Sequence, residues 1–200
     1  MQIAAALDRA EAWMKRGHAL TDGLTFVTSN RARVGVALLS LSGEHQMAIH
    51  TLANHQLFGS AIAMFRPQLE TCVRGTWYLR CATDAQVDDF VKGSEPPKID
   101  TLLAAIEATP DYGTGILAKL KGGLWRKLCD YTHGGITQVK GRTKRDEISN
   151  NLDPAYVALV LDASVLLAWV AATTLVLQTD GQSRAKYLAD LYGELFPKTA

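Results

Sequence analysis

The chain has 200 residues, 48% of them apolar and 20% charged, which suits a chain that buries a core and argues against a disordered or collagen-like one. Lys and Arg number 21 against 20 Asp and Glu, so the formal net charge of +1 excludes a histone-like coat for polyanions and leaves any nucleic-acid contact to a local patch. Three cysteines, Cys72, Cys81 and Cys129, are odd in number and lack C-x-x-C spacing, which argues against a disulfide framework or a cysteine-rich zinc site and fits a reducing cytoplasm.

From Ile3 to about Lys15, Ala and Leu recur with charges at helical spacing, and Asp8, Arg9, Glu11, Lys15 and Arg16 interrupt any apolar run that would serve as a secretion signal. Leu24 to Thr28 is the one short strand alternative and reads equally well as a loop. A second amphipathic helix is predicted from near Ala32 to His55. A third runs from about Gly59 to Cys81, with Pro67 either kinking it or marking its true start, because proline removes a backbone donor.

Gly93 to Pro97 reads as a linker, and a short helix from Ile99 to Ala108 follows, capped by Asp100 or Thr101. Leu124 to His133 is the next helical pattern, ended by Gly134-Gly135, since glycine readily takes the left-handed cap. Gln138 to Glu147 is polar and reads as an exposed loop. Asp153-Pro154, a cap followed by proline at the first helical position, launches a helix apolar on all sides from Ala155 to Leu177.

That helix is long enough to span a bilayer, yet Asp162 would be costly in hydrocarbon and no Lys or Arg adjoins either end, so it is expected to be a buried central helix with no membrane as partner. A last amphipathic helix covers Gln182 to Phe196. The expectation is an all-α protein: one helical bundle, residues 1–200, of about six to eight helices around a long apolar one.

The most suggestive chemistry is Arg126, Asp130 and His133. Seven residues return a helix to within roughly 20° of the same face, so Arg126 and His133 line one side with Asp130 between them. Arginine can hold a phosphate bidentately, histidine can move a proton near neutral pH, and the helix C-terminus favours the protonated ring. The plain alternative is a surface ion pair followed by a helix-capping histidine. Lys140, Arg142, Lys144 and Arg145 just downstream could draw a phosphate backbone toward His133, or could simply be solvated.

A second grouping, Arg66, Glu70 and Arg74, recurs every four residues and forms a ladder on one helical face. It is either a structural network or one wall of a polar pocket with Arg66 and Glu70 opposite His133. Metal and nucleotide chemistry find little support: His45, His50 and His55 sit five apart and do not share a face, and no phosphate-cradling glycine loop occurs, so no metal or cofactor is expected. Cys129, one turn before His133, reads as a buried small residue rather than a nucleophile.

The segment from Arg126 to His133 resembles the arginine, four to six residues, histidine pattern of the HEPN superfamily, whose members with this motif are compact helical bundles, usually dimeric, and many of them metal-independent ribonucleases. That resemblance implies phosphate contact by Arg126 and assistance to a ribose hydroxyl by His133. It also implies RNA, a second copy of the chain, and an antitoxin or other protein as partners. Asp130 has no counterpart in the motif, and Lys127 stands where HEPN proteins often carry a small polar residue. A second resemblance is to uncharacterised bacterial helical families with an Arg-Pro-x-x-Glu helix and a downstream helix ending in histidine. Here these are Arg66-Pro67-Gln68-Leu69-Glu70 and Tyr131-Thr132-His133-Gly134-Gly135. It implies a fold and no activity. The competing expectation is a non-catalytic helical binding or assembly module held by its Arg–Glu network.

Overall fold

Two long helices, α2 (Asn30–Asn54) and α3 (Phe58–Arg80), form the hairpin on which the rest is built, in a computed structural model that describes residues 1–179 and 181–197. Ser29 starts α2 by accepting the Ala32 N–H at 3.1 Å. The hairpin turns at Gln56, whose φ of 58° places it in the left-handed region. Along its length the helices touch through glycine. A Cβ added at Gly75 would lie 2.8 Å from Leu39 and 3.1 Å from the Gly35 carbonyl, and one at Gly35 would lie 2.3 Å from Leu79. No side chain larger than hydrogen fits this crossing.

The chain begins with α1 (Gln2–Thr21), and after the hairpin come α4 (Asp84–Val91), α5 (Ile99–Glu107), a 3-10 turn over Pro110–Tyr112, and α6 (Ile116–His133). Then follow α7 (Ile136–Lys140), strands β1 (Thr143–Lys144) and β2 (Glu147–Ile148), α8 (Pro154–Val176) and α9 (Gln182–Leu195). The protein is all-α, with nine α-helices among the described residues. The one sheet is a two-residue antiparallel pair with Thr143 opposite Ile148.

Four elements differ from the sequence expectation, one of them α5, whose N-cap is Lys98 with no side-chain cap bond, so that Asp100 and Thr101 lie inside the helix. Helix α4 was not foreseen; Thr83 builds it with a capping box, its hydroxyl accepting the Gln86 N–H while the Gln86 amide oxygen accepts the Thr83 N–H. Helix α6 starts at Ile116, two turns earlier than Leu124, because buried Leu117, Leu124 and Leu128 outweigh the cost of Gly122 and Gly123, about 1 kcal/mol each. The expected loop over Gln138 to Glu147 contains the end of α7 and most of the small hairpin. Pro67 does not start α3: the helix runs through it.

Helix α8 is central. Asp153 caps it by accepting the Ala155 N–H, Pro154 occupies its first position, and 72% of its most apolar stretch is buried inside the fold. By length and composition alone it could cross a membrane. Its one acidic residue, Asp162, accepts both forks of Arg9 on α1 at 2.9 and 2.7 Å. One side of α8 joins the main core with Phe65, Leu69 and Leu128; the other meets Trp13, Leu188 and Leu191 from α1 and α9.

Candidate functional site

Arg66 lies where α3 and α6 cross. Proline at 67 cannot donate to the Ala63 carbonyl, and Thr132 from α6 approaches that freed oxygen at 3.5 Å. The exception in the α3 ladder therefore lies where α6 docks. From that crossing Arg66 faces a row on α6, Trp125, Cys129 and His133, spaced four residues apart. Its guanidinium carbon sits 4.8 Å from the Trp125 ring centre, and Nη1 is 3.4 Å from Cys129 Sγ and 3.0 Å from His133 Nε2.

On its own helix Arg66 Nε donates to Glu70 Oε1 at 2.9 Å, and Arg74 pairs with Glu70 Oε2 at 3.5 Å. The expected ladder is formed, and Arg66 and Glu70 face His133 across an open cleft of about 310 Å³ lined also by Pro67, Thr71, Arg74 and Thr132. Arg66 and Glu70 keep 23% and 24% of their side-chain surface in contact with solvent. Two guanidiniums and one carboxylate leave the cleft one net positive charge.

Arginine has only N–H groups to offer, so His133 Nε2 is the acceptor in its contact with Arg66.

Each residue of Tyr131-Thr132-His133-Gly134-Gly135 has a local task. Tyr131 is buried and stacks on Tyr156 with ring centres 6.2 Å apart. Gly134, at φ 68°, gives α6 its left-handed cap. A Cβ at Gly135 would come within 2.5 Å of Asp130 Oδ1, so glycine there lets the carboxylate pass. That carboxylate accepts from the backbone and hydroxyl of Thr137, and these two bonds hold it below the ordinary carboxylate range, with Arg126 contributing less. Asp130 thus ties α7 to α6.

Arg126 is exposed on the face of α6 that carries His133, two turns earlier, and is not among the hydrogen-bond partners of Arg66. Lys144 pairs with Glu147 at 3.0 Å, Arg142 lies over Gly59 in the first turn of α3, and Lys140 and Arg145 are exposed. Gly59 lies about 10 Å along the helix from Arg66, at 1.5 Å per residue.

Trp125 escaped the sequence reading, although its spacing of four and eight residues from Cys129 and His133 was a usable signal. Lys119 was missed too. It stands seven residues before Arg126 on the exposed face of α6, outside the helix as first read from Leu124.

A family model described as "Family of unknown function (DUF6988)" matches residues 39–198, so the chain belongs to that family. Neither the curated proteins nor the solved structures contain a match.

Proposed function

We propose that this DUF6988 member is a HEPN-like, metal-independent ribonuclease whose reacting site is the cleft formed by Arg66, Glu70, Arg74 and His133. The observation that carries the reading is the 3.0 Å contact of Arg66 Nη1 with the accepting Nε2 of His133, in a cleft open to solvent and positive by one charge. A phosphodiester oxygen entering there takes over the Arg66 donor, with Arg74 as second donor, and frees His133 Nε2.

The freed nitrogen accepts the proton of the ribose 2′-hydroxyl. The 2′-oxygen then bonds to phosphorus, the bond from phosphorus to the 5′-oxygen breaks, the leaving oxygen takes a proton from water, and the hydroxide so formed is neutralised by the proton held on His133. Products are a 2′,3′-cyclic phosphate and a 5′-hydroxyl. Glu70 orients both arginines and does not touch the reacting atoms. Arg126, with Lys119 seven residues before it, lies along the incoming strand, and the unpaired cysteines support action in a reducing cytoplasm. A second copy of the chain and a neutralising protein partner belong to the same reading.

The test is cleavage of mixed single-stranded RNAs in excess chelator. His133→Ala is expected to lose at least about 100-fold in rate at unchanged folding. Arg126→Ala separates two arrangements: activity centred on the Arg66 cleft survives it, whereas the Arg126–His133 pairing of the HEPN motif does not. Equal cleavage by wild type and His133→Ala overturns the proposal. The competing reading, a structural network in a binding module, is favoured by one observation, that Glu70 joins both arginines. It predicts a large stability loss in Glu70→Ala.

A further inference from the structure

We propose that the cleft between α3, α4 and the segment 94–97 binds an extended, proline-rich peptide that carries a basic residue. This site is separate from the Arg66 cleft and does not rest on the ribonuclease reading.

Trp77 and Tyr78 from the last turn of α3, Asp89 and Phe90 from α4, and Glu95, Pro96 and Pro97 enclose a space of about 260 Å³. Gly93, at φ 99°, turns the chain back after α4, and the Ser94 N–H donates to the Asp89 carbonyl at 2.9 Å, which brings the two prolines to the cleft. The aromatic side is continuous. Tyr78 lies edge-on to Trp77 with Phe90 beyond it, each ring centre 4.9 Å from its neighbour.

What points to a ligand is a pair of buried polar groups with nothing to bond. Tyr78 is 1% exposed and Trp77 4%, yet the Tyr78 hydroxyl and the Trp77 indole N–H have no partner among the described residues. Neither is sealed, unlike the indole nitrogens of Trp13 and Trp169 and the Tyr156 hydroxyl, so the trace of surface on each residue includes its polar atom. The open space that both residues line is this cleft. Burial raises the Tyr78 pKa, with Arg74 opposing the rise and Glu95 adding to it, so the hydroxyl keeps its proton at neutral pH. An indole N–H can only donate. The floor therefore offers two donors, which call for acceptor oxygens.

The rim calls for positive charge. Asp89 and Glu95 are exposed, no Lys or Arg lines the cleft, and nearby cations are committed elsewhere, Arg31 to Asp84, Arg74 to Glu70 and Arg80 to Asp111. A simple amine brings the charge without an acceptor, and a carboxylate brings the acceptor with the wrong charge. A polyproline II segment with an Arg or Lys brings both. Its carbonyls are free because this helix has no internal hydrogen bonds, its prolines have no N–H left wanting a partner, and their rings pack on aromatic side chains.

Heteronuclear NMR on the full chain tests this with an oligoproline carrying one central arginine, its glutamate counterpart, and arginine amide. The arginine peptide is expected to move the Trp77 indole N–H signal, identified by its loss in Trp77→Phe, in a saturable way. It should bind about fivefold tighter than the glutamate peptide. Tyr78→Phe removes only a hydroxyl that holds nothing inside the protein, so binding should weaken about fivefold at an unchanged melting temperature. A Trp77 signal that stays fixed, wild-type affinity in Tyr78→Phe, or arginine amide binding as tightly as the peptide overturns the inference; the last outcome makes this a small-cation site.

Discussion

Helix α3 carries two polar clusters on opposite faces, and they differ in what is left over. On the buried face Gln68, fully out of solvent, donates to the Ser164 carbonyl at 2.9 Å and accepts from the Ser164 hydroxyl at 2.7 Å. Ser42 from α2 donates to the Gln68 carbonyl at 3.3 Å. Both ends of the Gln68 amide are used inside the protein, and the cluster does nothing but pin α2, α3 and α8 together. On the open face Arg66, Glu70 and Arg74 are paired too, but between 23% and 36% of each side chain meets water. The closed cluster can only hold; the open one can exchange partners. Exchange is what ligand binding requires.

The contrast breaks most readily at Gln68. Gln68→Ala leaves Ser164 without its partner and opens a cavity in the core, and a loss of about 3 kcal/mol is expected. In a chain of this length that lowers the melting temperature by about 6 to 12 °C. Replacing both partners, Gln68→Leu with Ser164→Ala, should restore most of the loss, because no polar group is then stranded. Chemical denaturation of the three variants measures it; additive losses would show that the two residues act separately.

A smaller effect is expected at Asp162, whose fork with Arg9 is 30% exposed on the carboxylate side. Asp162→Ala should cost about 1 to 2 kcal/mol, with Arg9→Ala costing about as much and the double variant little more than either. Smaller again is Glu70→Ala, at below about 1 kcal/mol, because water replaces the carboxylate at Arg66 and Arg74. A loss above 2 kcal/mol would move the open cluster into the same class as Gln68 and favour the structural reading of it.

How far the sequence reached follows the same division between local and crossing contacts. The ladder Arg66, Glu70, Arg74 and the caps Asp153-Pro154 and Gly134 were legible because each lies within one helix, where spacing alone fixes the geometry. The meeting of Arg66 with His133 spans 67 positions, and the sequence offered it only as one of two arrangements. The role of His133 Nε2 as an acceptor was not legible at all, since its donor comes from another helix. Asp130 was offered either as a catalytic group between Arg126 and His133 or as one half of a surface ion pair with Arg126. In the structure its carboxylate turns to Thr137 past Gly135, a path that opens only because the helix stops there.

That reassignment of Asp130 gives the smallest and most local prediction. The two bonds from Thr137 lower the carboxyl pKa in the folded state, so the stabilisation from this group is fully present above the unfolded value near 3.8 and is lost as pH falls through the lower folded value. Above pH 5 nothing should change. On acidification the bonds at the α6–α7 corner should weaken when Asp130 takes up its proton. Amide exchange at Thr137 should then rise, while exchange in the α2–α3 hairpin stays fixed. Asp130→Asn should show the faster Thr137 exchange already at neutral pH and remove its acid dependence. If Asp130 instead served His133, the same variant would shift the pH profile of RNA cleavage and leave the Thr137 amide as it was. The two measurements assign the carboxylate to the scaffold or to the cleft.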